Sequence, residues 1–143
     1  MAKRRATAKW HGTLKDGEGS IALGQGAYEG PYSFKSRFED GTGTNPEELL
    51  AAAHAGCFTM SVSTVLTMAG HPPDSLETDA NVWLRVGESG PQIPKIELTL
   101  RGRVPGITQD EFAEHAKLAE RSCPVSKALA GVGEIVLDAQ LED

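Results

Sequence analysis

The order of periodic segments along this chain predicts an α+β fold. Three observations carry that expectation: alternating apolar and polar runs in the first third, a long central stretch rich in Leu, Ala and Met that opens on a helix-start signal, and two further alternating runs directly after it. The resulting order is strands, helix, strands, helices, strand. With 143 residues and no repeat, low-complexity tract or linker, residues 1–143 read as one domain.

Residues 6–12 alternate, Asp16-Gly17 marks a turn, and residues 20–23 and 32–38 continue the pattern, which predicts a small antiparallel sheet. The sharpest boundary is Gly41-Thr-Gly-Thr-Asn45-Pro46-Glu47-Glu48. Asn45 can cap a helix, Pro46 suits its first position, and two carboxylates match the positive end of the helix dipole. A helix is expected from residue 46 to about 69, ending at Gly70 because Pro72 and Pro73 cannot continue it. Residues 76–86 and 93–104 then read as a hairpin around Glu88-Ser-Gly-Pro. Thr108 and Glu111 stand in capping-box spacing and open a helix through residue 121. A short helix over 124–130 and a strand over 135–141 close the chain.

Composition narrows the function. Apolar residues make up 39% and aromatic residues only 6%, so the core must be aliphatic. A net charge of −6 and a pI near 5.2 argue against a nucleic-acid partner, which selects for a basic face. The one basic cluster, Lys3-Arg4-Arg5, reads as a solvated terminus. No stretch is expected to be apolar over enough length to cross a bilayer, and no apolar segment follows the N-terminal basic residues as in a secretory signal, so a cytoplasmic protein without a membrane partner is expected. Two cysteines 66 positions apart are too few for a secreted disulfide scaffold. Their chemistry therefore matters more than their cross-linking.

Cys57 falls in the middle of the long helix, within Ala51-Ala-Ala-His-Ala-Gly-Cys-Phe-Thr-Met, where small neighbours let another element or a substrate approach closely. Taken alone, it reads first as a buried packing residue, since free cysteines are usually buried. Cys123 precedes Pro124 at the start of the short helix, where free backbone N–H groups favour a thiolate, although a plain packing role fits that position too. From the residues alone, redox chemistry and structural packing both remain open.

Arg37, just upstream of the long helix, is the candidate activating cation. Glu47 could orient its guanidinium through paired hydrogen bonds, or simply offset the helix dipole. A helix rises about 1.5 Å per residue, so Glu47 and Cys57 on one straight helix lie about 15 Å apart. If both serve one site, either Arg37 spans the gap or a second subunit supplies Glu47, which points to a dimer. His54, three residues before Cys57, raises a Cys/His pair or a metal site. His11, His71 and His115 are scattered without ligand spacing, so His54 reads as a polar helix residue with a packed partner, and no metal or cofactor is expected. Gly24-Gln-Gly26 forms no phosphate loop, and Ser61 and Ser63 lack a nucleophile elbow.

The run Arg37-Phe-Glu-Asp-Gly-Thr-Gly-Thr-Asn-Pro-Glu-Glu-Leu-Leu-Ala-Ala-Ala-His-Ala-Gly-Cys-Phe-Thr-Met, followed far downstream by Cys123-Pro-Val-Ser, resembles the OsmC/Ohr family of peroxide-detoxifying proteins. The resemblance extends to the Trp10-His-Gly strand, the Val104-Pro-Gly-Ile-Thr segment and the closing strand. By motif position it places the peroxidatic cysteine at Cys57, the resolving cysteine at Cys123, the activating arginine at Arg37 and its carboxylate partner at Glu47. The sequence is similar to the OsmC branch, because the arginine lies just before the Gly-Thr-Asn-Pro-Glu motif. In the Ohr branch the arginine belongs to an early glycine-containing turn, and here that region reads Leu14-Lys-Asp-Gly-Glu-Gly.

The resemblance implies an intertwined homodimer in which antiparallel sheets wrap long central helices, with two sites at the interface. It also implies the reaction. The Cys57 thiolate attacks an organic hydroperoxide, an alcohol leaves, and Cys123 condenses with the resulting sulfenic acid to form a Cys57–Cys123 disulfide. A dithiol reductant, such as a lipoylated carrier protein, restores both thiols. The aliphatic surroundings of Cys57 favour bulky organic peroxides over hydrogen peroxide. Two rival readings stand beside this one: a stress or binding protein with inert buried cysteines, and a protein disulfide oxidoreductase, which the absence of a Cys-x-x-Cys motif disfavours.

Overall fold

A computed structural model describes all residues, 1–143. The chain divides into two compact units, Met1–Leu49 and Leu50–Asp143.

In the first unit, β1 (Ala6–His11), β2 (Glu18–Leu23) and β3 (Glu29–Tyr32) form an antiparallel meander. The strand expected over 32–38 is corrected. It ends at Tyr32, and α1 (Phe34–Phe38) is a single helical turn. The cause is a reciprocal cap: the Ser36 N–H donates to Ser33 Oγ at 3.1 Å while the Ser33 N–H donates to Ser36 Oγ at 2.8 Å. Phe34 and Phe38, four residues apart, then fall on one helical face with ring centroids 4.9 Å apart. Strand β3 escaped the sequence pattern because Gly30 and Pro31 interrupt it.

Helix α2 (Pro46–Met68) starts and stops where its signals stand. Asn45 Oδ1 accepts the Glu48 N–H at 2.8 Å, and Gly70 ends the helix at φ +88°, a left-handed conformation that side-chain-bearing residues avoid. One expectation fails here. By length and composition α2 is long and apolar enough to cross a membrane. Its only charged residues, Glu47 and Glu48, lie in the first turn, and its Ser, Thr and Gly positions are too weakly polar to offset Ala, Leu, Val and Met. Within the protein, the Phe58, Val62 and Leu66 row of this helix is buried without exposed surface in the core of the second unit.

That second unit contains β4 (Ser75–Gly87) and β5 (Gly90–Arg103), the expected hairpin, paired antiparallel from Ser75↔Arg103 to Gly87↔Gly90. α3 (Gln109–Ser122) and α4 (Pro124–Ala128) follow, and β6 (Glu134–Glu142) joins the free edge of β5 in parallel. The two helices are the crossover that a parallel pairing requires. Central β5 buries Ile96, Leu98 and Leu100, alternate residues on one face, against Phe58, Val62 and Leu66 of α2 and Phe112, Ala116 and Ala119 of α3. Gly102 makes room for that packing. A Cβ there would come within 2.6 Å of the Phe112 ring. Thr108 and Glu111 form the anticipated capping box.

Candidate active site

Four side chains singled out by the sequence fall into two contacts, one inside each unit. The first is Arg37 with Glu47. Arg37 rides on α1, whose orientation is set by polar clamps: Ser36 Oγ donates to the Thr44 carbonyl at 2.7 Å, and Asn45 Nδ2 donates to the Ser36 carbonyl at 3.0 Å. The loop between them must pass close to β3. Gly43 makes that possible at φ +110°, where a Cβ would lie 2.5 Å from the Pro31 carbonyl oxygen. The neighbouring Thr44 N–H donates to the same carbonyl at 2.9 Å. Held in this way, the Arg37 guanidinium meets Glu47 through Nη2 to Oε1 at 2.9 Å and through Nε to both oxygens at 3.3 Å. This forked pairing fixes the guanidinium plane, which a single contact would leave free to turn. The Glu47 side chain is 8% exposed and that of Arg37 34%, so the cation keeps a wet face toward an approaching ligand. Arg37 also lies 5.3 Å from the centroid of the Phe38 ring. A cavity of about 400 Å³ opens beside it, walled by Trp10, Leu14, Tyr32, Phe34 and Phe38.

The second contact joins the cysteines. Cys57 on α2 and Cys123 at the start of α4 lie 66 residues apart in sequence, and their sulfurs are 3.1 Å apart as free thiols. Cys123 is completely buried, whereas Cys57 is partly exposed and lines an open groove with Met60, Ser61, Thr64, Val65 and Ser122. Their acidities diverge. Burial pushes the Cys57 thiol up, and the adjacent Cys123 adds to that, against the smaller pull of the Val125 N–H and the Ser61 hydroxyl. For Cys123, burial is again the largest influence and opposes ionisation. The Ser126 N–H, the Cys57 thiol, the Ser126 hydroxyl and the Val125 N–H together outweigh it and draw the thiol down. The expectation that the start of this short helix favours a thiolate on Cys123 is in line with that direction.

The geometry adds a pair that the sequence did not reveal in full. His54 was read as a packed polar residue, and its partner is Ser126, with Nε2 and Oγ 2.6 Å apart and both side chains buried. Ser126 enters the sequence reading only as the last residue of the Cys123-Pro-Val-Ser motif, with no role of its own. The available signal was its spacing, since it follows Cys123 by three residues just as His54 precedes Cys57 by three. No group of three or more His, Cys, Asp or Glu side chains is arranged to hold a metal ion.

The family model for OsmC-like proteins matches residues 39–137. Peroxiredoxin OsmC from Escherichia coli strain K12 is 42% identical over 140 residues, covering 97% of this chain and 96% of that protein. This chain belongs to the OsmC-like family. An organic hydroperoxide resistance protein-like relative from Staphylococcus aureus is 30% identical over 105 residues, covering 73% of this chain and 74% of its own. Among solved OsmC-like structures, OhrB of Bacillus subtilis superposes with a TM-score of 0.68 at 26% identity, covering 96% of this chain and 98% of its own. The organic hydroperoxide resistance protein of Elizabethkingia anophelis shares the fold, with a TM-score of 0.76 at 24% identity and coverage of 99% and 98%. The OsmC-like model spans α2 and both cysteines and begins two residues after Arg37.

Proposed function

We propose that this chain is a cysteine-dependent peroxidase that reduces organic hydroperoxides to alcohols and, more weakly, hydrogen peroxide to water. The observation that carries the reading is the 3.1 Å approach of two free sulfurs from distant parts of the chain. The names peroxiredoxin and organic hydroperoxide resistance protein carried by relatives support it. Cys57, the more accessible sulfur, attacks the distal peroxide oxygen as a thiolate. The O–O bond breaks, the alkoxide leaves and takes up a proton, and Cys57 becomes a sulfenic acid. Cys123 then displaces hydroxide from that sulfur to form the disulfide, and a dithiol, for which a lipoylated carrier protein is our candidate, reduces it by exchange.

Arg37 and Glu47 supply what the surroundings of Cys57 lack. Burial pushes this thiol up, so a fixed cation is needed to favour its thiolate and to hold the peroxide. We assign that role to Arg37, oriented by Glu47, in a homodimer whose sites combine both pairs, with residues 1–143 acting as one OsmC-like domain in the cytoplasm. The aromatic walls of the Arg37 cavity suit the organic group of a hydroperoxide.

The test is consumption of cumene hydroperoxide by reduced protein. One equivalent should remove two thiols and form an intramolecular Cys57–Cys123 bridge, and Cys57→Ser should abolish turnover. Unchanged turnover in that variant would sink the assignment. Insulin reduction at a rate comparable to peroxide consumption would favour a protein disulfide oxidoreductase instead.

A further inference from the structure

The two sulfurs are one of two side-chain-to-side-chain ties between α2 and the start of α4. The second is His54 with Ser126, each one helical turn from its cysteine, so the ties lie side by side. His54 has no exposed surface and Ser126 is 5% exposed. The other ring nitrogen, Nδ1, is buried without a partner. In a neutral imidazole one nitrogen carries the proton and the other a lone pair. Buried N–H groups without an acceptor are rarer than buried acceptors without a donor, which favours the tautomer that leaves the lone pair on Nδ1 and puts the proton on Nε2. Nε2–H then donates to Ser126 Oγ. The hydroxyl proton of Ser126 is thereby left free for another acceptor, and Cys123 lies one turn back on the same helix.

We propose that His54 and Ser126 are positioning residues for the second thiol: His54 Nε2–H holds the serine oxygen, and the serine O–H turns toward Cys123 Sγ, favouring the thiolate that attacks Cys57. This rests on the peroxidase reading. In the step concerned, the Cys123 thiolate forms the S–S bond at Cys57, the S–O bond of the sulfenic acid breaks, and the departing hydroxide leaves as water with the proton that Cys123 had released. The lowered Cys123 thiol, with the Ser126 N–H and hydroxyl among its causes, agrees with this arrangement. Neither His54 nor Ser126 is among the groups that hydrogen-bond the Cys57 sulfur, so the effect of the pair should fall on the second step.

The experiment treats reduced full-length protein with one equivalent of cumene hydroperoxide and no reductant. Cys57 sulfenic acid is trapped as its dimedone adduct, and the disulfide is followed by non-reducing mass spectrometry. In Ser126→Ala and His54→Phe, disulfide formation should slow about tenfold, the size expected for one lost hydrogen bond to a charged group, while sulfenic acid forms within about twofold of the wild-type rate. In His54→Gln, whose side-chain N–H can reach the same oxygen, most of the rate should return. Disulfide formation at the wild-type rate in Ser126→Ala, or equal slowing of both steps, overturns the proposal. If the wild type forms no sulfenic acid, the peroxidase reading itself fails. Nitrogen NMR of His54 then decides the hydrogen-bond arrangement separately, with a proton on Nε2 supporting it and one on Nδ1 overturning it.

Discussion

The two units hold their functional pairs by opposite means. In Met1–Leu49, Arg37 and Glu47 are aimed by a lattice of short polar contacts through Ser33, Ser36, Thr44 and Asn45, and Ile21 is the one large side chain counted in the buried core. In Leu50–Asp143, Cys57 and Cys123 are packed against an aliphatic core built from Phe58, Leu98, Leu100, Phe112 and their neighbours. The difference follows from the chemistry each pair must do. A guanidinium that stays partly wet avoids most of the cost of desolvating its charge, and hydrogen bonds fix its plane. Sulfurs that must meet and bond have little hydrogen-bonding capacity, so close packing has to bring them together.

Several variants test this contrast, beginning with the largest effect. Cys123→Ser should cut multiple-turnover peroxide reduction by more than about a hundredfold while still reducing a single equivalent of peroxide, because the sulfenic acid forms and then waits for an external thiol. Quench-flow with one and with many equivalents of hydroperoxide distinguishes the two regimes. Phe58→Ala should lower unfolding free energy by about 3–5 kcal/mol in urea titrations, since that ring is completely buried at the centre of the second unit. Ile21→Val in the first unit should cost only about 1 kcal/mol, and an equal loss for both substitutions would break the contrast.

Glu47→Gln should separate activity from stability. It loosens the fork on a guanidinium that is 34% exposed, so stability should change by about 1 kcal/mol or less while peroxidase kcat/KM falls at least about tenfold. A fall in stability without a fall in activity would argue that the pair is only structural.

The smallest expected effect is a pH dependence of stability. Burial holds His54 below its ordinary pKa of 6.5. Above 6.5 the ring is neutral in both the folded and the unfolded chain and costs nothing. Below 6.5 the unfolded chain takes up a proton that the folded chain excludes, so stability falls as pH drops from 6.5 toward the folded value. Urea midpoints measured from pH 5 to 8 should therefore decline less on the acid side in His54→Gln than in the wild type.

Much of this was legible in one dimension because the signals are local. The Asn45-Pro46-Glu47-Glu48 start, the Gly70 stop, the Thr108 and Glu111 cap and the alternation of β4 and β5 each act within a few residues, and all lie where they were read. Residues 34–38 were misread because Ser33 and Ser36 cap each other, and this local pairing outweighs a weak alternation. The parallel seat of β6 had no local mark, since the crossover through α3 and α4 determines it.

The sequence by itself determined the α+β order, the family and the four residues most worth testing, because motif spacing and helix signals survive in the linear chain. Only the tertiary structure decided that Cys57 and Cys123 meet at 3.1 Å, that burial raises one thiol while backbone N–H groups lower the other, and that His54 finds Ser126 across 72 residues. Acidity and contact depend on which atoms surround a group in space, and neighbours brought together by packing leave no period in the sequence.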